Sequence, residues 1–335
     1  MTRTRRSDPG SPGIRRIRRG RGFSYEDPEG RPLRDEAVVD RIRALAIPPA
    51  WRDVWICDDE RGHIQAVGTD AAGRRQYLYH EAWRAQRDRA KFKRLPAFVA
   101  AVQPARQALE ADLKLKGLVR ERVMACAVRL LDIGMFRVGG EDYAEENDSY
   151  GLATLQKRHV QIKRRAINFD YVAKGGVRRS QLLEDEMVLP TLLALKRRRG
   201  RPRDPLLAYR AGRSDWRDVT SSEINQWLKD LIGEEYSAKD FRTWNGTVLA
   251  AVKLAGRDDA PDRSKAIAAT FKEVAFILGN TPAVCRASYV DPRVIDRYEK
   301  GHTIAAELER ITRQASGNAF ADREEIERSV VELIS

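Results

Sequence analysis

Near residue 83 the hydrophobic period of this chain changes from two to about 3.6, and any fold must accommodate that switch. Upstream, short stretches carrying Val54, Ile56, Ile64, Ala66, Tyr77 and Tyr79 are separated by Gly- and Asp-bearing turns. "GFSYEDPEGRPL" sets Asp27-Pro28-Glu29-Gly30 between two short apolar stretches, which predicts a hairpin. "DEAVVDRIRALA" predicts a short helix, stopped by Pro48 and Pro49. Downstream, "EAWRAQRDRAKFKRL", "PAFVAAVQPARQALEADLKL" and "GLVRERVMACAVRLLDIG" read as helices. In the last of these Val119, Val123, Ala127 and Leu130 line one face, and Gly134 is the stop. Alternation returns once, in "HVQIKRRAINFDYVAKGGVRRSQLL", where Lys174-Gly175-Gly176 joins two strands.

The predicted class is therefore α+β, a small antiparallel β domain followed by a larger, mainly helical domain with a small hairpin. Residues 23–82 form the first, 83–92 a linker or hinge helix, and 93–335 the second. A chain of 335 residues is long enough for two such cores. Residues 1–22, "MTRTRRSDPGSPGIRRIRRGRG", read as a basic flexible tail, either solvated or lying along a nucleic-acid backbone.

Charge narrows the partner. Lys and Arg number 62 against 49 Asp and Glu, a net +13. Such a surplus favours a polyanion, with nucleic acid first and an anionic membrane surface a distant second. No apolar run approaches the ~20 residues of a membrane span, and the first residues carry no secretory pattern. Cys57, Cys126 and Cys285 lie far apart without metal-ligand spacing, and read as free thiols of a reducing cytosol. Neither a P-loop nor a Rossmann fingerprint is found, and the four histidines form no metal cage with acids or thiols. For an enzyme acting on phosphate, the expectation would be chemistry run by side chains alone, with no metal and no cofactor; charge by itself says nothing about chemistry.

One tyrosine has a local setting that suits either a packing side chain or such work. In "ASYVDP", Asp291 is a good N-cap and Pro292 suits the first helical position. Tyr289 then stands just ahead of a helix N-terminus, where positive potential favours a phosphate or a phenolate. Three cationic residues accompany it in sequence order. Arg137 ends an apolar helix beside a glycine pair, Lys174 tops the hairpin, and Arg242 runs between Phe241 and Trp244.

Together, "FRVGG…Y…N.SYGLATL…HV", "VAKGG", "KDFRTW" and "LGNTPAVCRASYVDP" resemble the small, poxvirus-like type IB DNA topoisomerases of bacteria. "GHIQAVGTDAAGRRQYLYH" is similar to that family's DNA-binding sheet, so the resemblance spans about residues 23–302. It implies a monomeric, nucleoid-associated cytoplasmic enzyme that clamps duplex DNA and relaxes it without ATP or metal. Tyr289 would attack a phosphodiester to form a 3′-phosphotyrosyl bond. Arg137 and Arg242 would hold the phosphate, Lys174 would protonate the departing 5′-oxygen, and Lys239 would assist the proton relay. Asn280 replaces a histidine common in the family, keeping a donor without its charge. Gln76, Tyr77 and Tyr79 would meet DNA from one strand face. Two alternatives stand beside this reading, a tyrosine recombinase and a non-catalytic basic DNA-packaging protein. "KDFR" has lysine where recombinases usually carry histidine, and packaging does not require the ordered set of four residues.

Overall fold

A computed structural model describes residues 3–71, 73–141, 144, 148–212, 215–314 and 319–335, without the side chains of 319–321. The tyrosine and asparagine following "FRVGG", Tyr143 and Asn147, lie outside the described residues. The chain divides into two compact units, Met1–Lys93 and Arg94–Ser335.

The first unit is built on a five-stranded antiparallel sheet in the order β2-β1-β3-β4-β5. The strands are β1 (Ile14–Arg19), β2 (Gly22–Glu26), β3 (Arg52–Ile56), β4 (Ile64–Thr69) and β5 (Arg75–Tyr79). Register aligns Ile14 with Ile56, Ile56 with Ala66 and Ala66 with Leu78, so one face carries an apolar row. Ile42 of helix α1 (Glu36–Ala44) joins that row in the core. Asp35 caps α1 by accepting the N–H groups of Ala37 and Val38. Helix α2 (Glu81–Lys93) closes the unit.

One expectation fails here and another is met only in part. The segment to residue 22 is no disordered tail, because β1 lies between β2 and β3. Its arginines disguise it. Arg16 donates to the carbonyls of Ile47 (3.1 Å), Pro48 (3.0 Å) and Trp51 (2.8 Å), and its guanidinium sits 4.2 Å from the Phe23 ring centre. A planar cation on an apolar stem packs where composition alone reads solvent. Ser7 is fixed too, donating to the Ile64 carbonyl at 2.9 Å. The turn at Asp27–Gly30 forms, but its second arm supplies only a single bridge from Glu26 to Pro32. The hairpin partner of β2 is β1.

The second unit is organised around α4 (Arg120–Gly134), in which every residue from Val123 to Asp132 is buried. The sequence suggested one apolar face; the helix is instead enclosed all round. Around it lie α3 (Leu95–Leu113), α5 (Leu189–Arg197), α6 (Ser221–Ile232) and α7 (Ala238–Ala255), and α8 (Arg263–Leu278) packs on α7. Short helices α9 (Pro282–Ser288), α10 (Pro292–Glu299), α11 (Ala305–Arg313) and the terminal α12 (Ala319–Ile334) follow. A three-stranded sheet, β6 (Val160–Lys163), β7 (Ala166–Ala173) and β8 (Val177–Glu184), carries the hairpin read from the sequence. A two-stranded ribbon pairs β9 (Ala208–Arg210) with β10 (Trp216–Asp218).

The charges that α4 buries are paired. Arg106 donates to both carboxylate oxygens of Asp132 and both of Glu327, with distances of 2.6–3.0 Å. Arg323 completes the quartet through Asp132 (2.6 Å) and Glu327 (3.0 Å). This locks α12 onto α3 and α4. Removing one member would strand a buried charge, at a cost of about 3–5 kcal/mol. Cys57, Cys126 and Cys285 are buried free thiols. Among the described residues, no helix is long and apolar enough to cross a membrane.

Candidate active site

Tyr289 occupies the joint between two short helices. It is the C-cap of α9, its N–H donating to the Cys285 carbonyl at 2.9 Å. Two residues later Asp291, fully buried, caps α10 by accepting the Arg293 N–H at 2.9 Å. The joint is seated on α7. The Asp291 N–H donates to Thr247 Oγ1 at 3.1 Å, and a Cβ on Gly246 would lie 2.5 Å from the Tyr289 carbonyl oxygen. Only glycine lets the tyrosine's backbone approach α7 this closely.

One turn below Gly246, the same helix supplies Arg242, which is 2 % exposed. Its guanidinium donates to the carbonyls of Met135 and Leu278, the latter at 2.9 Å. Both acceptors lie at helix ends. Met135 caps α4 in a left-handed conformation (φ 53°), and Leu278 is the last residue of α8. Arg137 follows the α4 cap and donates to the Gly279 carbonyl (2.8 Å) and to Asn280 Oδ1 (2.5 Å). Arg179, on β8, donates to the Ile277 carbonyl at 2.8 Å. Three arginines from three elements thus take three consecutive carbonyls at the C-terminal end of α8. A helix C-terminus carries negative potential, so it is a natural anchor for cations.

The "FRVGG" segment is pinned by the chain that follows it. The Arg137 and Val138 carbonyls accept the N–H groups of Leu152 and Ala153, each at 2.8 Å. A Cβ on Gly151 would fall 2.4 Å from the Gly139 Cα, so the two glycines permit this crossing.

The Arg242 Cζ lies 5.0 Å from the centre of the Tyr289 ring. Burial, and then the neighbouring Arg137, lower the Arg242 pKa to about 10. For Tyr289, burial pushes the phenol up. The positive charge of Arg242, then that of Lys239 and Arg137, outweighs it and leaves the phenol below its ordinary value. The cationic set therefore favours phenolate.

A cleft of about 840 Å³ opens at this point, lined by Met135, Arg137, Lys174, Arg179, Asn280 and Tyr289 among others. Lys174 is exposed at the β7–β8 turn, where Gly175 (φ 83°) and Gly176 (φ 73°) supply left-handed backbone. Asn280 Nδ2 is buried with no hydrogen-bond partner among the described residues. Lys239, in the first turn of α7, lies outside that lining and reaches Tyr289 through its charge. Among the described residues, no group of three or more His, Cys, Asp or Glu is disposed to hold a metal.

Of the nine site residues read from the sequence, Arg137, Lys174, Arg242, Asn280 and Tyr289 converge here, with Lys239 beside them. The other three lie in the first unit and do not share one face. Tyr77 and Tyr79 are 40 % and 42 % exposed and stack with centroids 6.1 Å apart. Gln76 alternates to the opposite side of β5, half-buried, its amide donating to Asp70 Oδ2 at 2.9 Å. Strand period requires this separation, since neighbours point to opposite faces. Arg179, Gly246 and Thr247 escaped the sequence reading. The signal for Arg179 was available in the alternation of "VRRSQLL", which turns it inward with Gln181 while Arg178 turns out to Asp170.

The chain is similar to known proteins over most of its length. Residues 80–315 match the model of the eukaryotic DNA topoisomerase I catalytic core, and residues 22–70 that of the bacterial DNA topoisomerase IB N-terminal domain. DNA topoisomerase 1B of Acanthamoeba polyphaga mimivirus is 31 % identical over 271 residues, covering 78 % of this chain and 80 % of the viral protein. DNA topoisomerase 1B of vaccinia virus (strain Copenhagen) is 24 % identical over 278 residues, 78 % and 82 % of the two chains. DNA topoisomerase 1 of Schizosaccharomyces pombe is 28 % identical over 171 residues, 50 % of this chain but 20 % of the yeast protein. The class is that of isomerases acting on DNA topology. Within it, the chain belongs to the type IB DNA topoisomerase family. That membership replaces the recombinase and packaging alternatives.

Proposed function

We propose that this enzyme relaxes supercoiled duplex DNA through a transient 3′-phosphotyrosyl intermediate, without ATP or metal. The observation that carries the proposal is the convergence of Tyr289, Arg137 and Lys174 on one cleft, with Arg242 buried beside the tyrosine ring. Tyr289 Oη attacks the phosphorus, an O–P bond forms, and the P–O5′ bond breaks. The phenol gives up its proton, which its depressed pKa makes easier. Arg137 and Arg242 meet the non-bridging oxygens, where forked guanidinium donors match the charge developing in the transition state. Both are already fixed on helix-end carbonyls, so little reorganisation is left for the moment of reaction. Asn280 offers its unpartnered Nδ2–H to the same oxygens.

Lys174 delivers a proton to the leaving 5′-oxygen from the exposed hairpin tip, with Lys239 assisting the relay. The freed strand swivels, and the 5′-hydroxyl then attacks the phosphotyrosine in reverse. One phosphoester replaces another at each step, so the bond energy is retained and torsion in the DNA supplies the drive. In the first unit, stacked Tyr77 and Tyr79 form the proposed DNA-facing surface of β5, with Gln76 joining only if its bond to Asp70 opens.

The test is a supercoiled plasmid incubated with the enzyme in EDTA without ATP. Relaxed topoisomers are expected, and their yield falls as salt rises because phosphate contacts release counterions. Supercoiling that persists while the plasmid is bound would overturn the proposal.

A further inference from the structure

A buried arginine is costly unless it is paired, and most buried charges in proteins are. In this unit Arg106 and Arg129 meet that cost with carboxylates, Arg129 donating to Asp185 at 2.7 Å. Arg179 is as enclosed as Arg129, at 9 % against 7 % exposed. Its hydrogen-bond partners among the described residues are the Ile277 carbonyl (2.8 Å) and Gln181 Oε1 (3.1 Å), neither of them charged. Burial, and then the like charge of Arg137, oppose its ionisation.

Its position explains why a cation stands there. Gly279 is left-handed (φ 63°), and a Cβ on it would lie 2.8 Å from Arg179 Nη1. The guanidinium therefore rests directly against the backbone of the turn that presents the Gly279 carbonyl and Asn280 to Arg137. Gln181 extends the brace, donating to the Gly134 carbonyl at 2.6 Å, next to the Met135 carbonyl that holds Arg242. The hairpin bearing Lys174 is thereby tied to the ends of both α4 and α8.

We infer that Arg179 is a positioning residue for strand cleavage, holding the Ile277–Asn280 turn so that Arg137 and Asn280 meet the phosphate together and in register with the Lys174 hairpin. The inference rests on the function proposed above and adds a residue to it.

The test measures single-turnover formation of the covalent DNA adduct at saturating duplex, for the wild type, Arg179→Met and Arg179→Lys, each also combined with Asn280→Ala. Duplex affinity is measured for the same Arg179 variants in a Tyr289→Phe background. Arg179→Met is expected to slow adduct formation about 10- to 100-fold, the range of a lost charged hydrogen bond, and to leave affinity nearly unchanged. Arg179→Lys is expected between the two, since an ammonium can still donate to the Ile277 carbonyl but lacks the guanidinium plane whose Nη1 rests against Gly279. Adding Asn280→Ala to Arg179→Met should slow the reaction little further, because both act through one turn.

Wild-type rates in Arg179→Met, losses that multiply in the double variant, or a loss confined to affinity would each overturn the inference. Should Arg179→Met fail to fold, Arg179→Lys decides, and a rate equal to the wild type's counts against the role. A wild type that forms no adduct overturns both readings. A normal wild type with an unaffected Arg179→Met overturns this one alone.

Discussion

The guanidinium carbon of Arg242 stands 5.0 Å from the ring centre of Tyr289, and the two residues share a scaffold, because Gly246 of the arginine's helix seats the tyrosine's backbone. Charge and position are therefore coupled. Whatever moves α7 moves both the phenol and the cation that tunes it.

The coupling fixes a pH profile. Arg242, Lys239 and Arg137 hold the Tyr289 phenol below its ordinary value against the upward push of burial. A positive neighbour stabilises phenolate, so removing one raises the pKa. Adduct formation followed against pH should climb and level off below the ~10 of a free tyrosine. In Lys239→Met the rising limb should move to higher pH. An unmoved limb would show that Lys239 does not act on the phenol.

Gly246→Ala isolates position from charge. In an ordinary helix interior this change stabilises by about 1 kcal/mol. Here the new methyl would meet the Tyr289 carbonyl oxygen at 2.5 Å. The joint must shift, and misplacement on the ångström scale costs about a hundredfold in rate. Single-turnover cleavage should fall by that order while duplex affinity holds. Normal cleavage would mean that the tyrosine is not seated by α7.

Asn280→His tests the departure from the family pattern. Asn280 accepts from Arg137 through Oδ1 and keeps Nδ2–H for another partner. A neutral imidazole has one acceptor and one donor nitrogen and can repeat both roles. The variant should cleave at least as fast as the wild type, and a protonated ring, which gives up the bond from Arg137 to gain charge, adds up to ~1–2 kcal/mol of transition-state stabilisation where the charge outweighs that loss. A large fall in rate would contradict the role given to Asn280.

Acid stability should carry the mark of His159. Its Nδ1 accepts the Gln156 N–H at 3.1 Å, which requires that nitrogen to be unprotonated. Burial, and then Arg158, lower its pKa to about 4. The folded value lies below the ~6.5 of the unfolded chain, so the histidine's contribution is complete above pH ~6.5 and drains away as pH falls through about 4. Thermal unfolding midpoints should decline across that window, and His159→Asn, whose Oδ1 can take the same N–H, should flatten the decline. A decline of equal size in the variant would place its origin elsewhere.

The proposed catalytic residues were legible because their motifs, each weak alone, together resemble one family, and their neighbours mark the local structure. Asp291 and Pro292 announce a helix start, and Lys174-Gly175-Gly176 announces a turn. What stayed hidden was context. Arg16 and Arg179 look like solvent-facing charge in sequence, yet both are held by backbone carbonyls that only the tertiary fold brings near. Gly246 reads as a weak spot in a helix until the Tyr289 backbone is seen against it. The family resemblance groups Gln76 with Tyr77 and Tyr79 on one strand face, although strand period turns Gln76 the other way. The three-carbonyl anchor at the end of α8 draws on α4, α7 and β8, and no local pattern could report it.

The central claim is that the phenol of Tyr289 becomes the covalent link to DNA. The most direct measurement traps the adduct on a nicked or suicide duplex, digests it with trypsin, and maps the nucleotide-bearing peptide by mass spectrometry. The account predicts nucleotide on Tyr289 alone, and no adduct from Tyr289→Phe although that variant still binds duplex. A modified Tyr298 peptide, or an adduct that survives Tyr289→Phe, would contradict it.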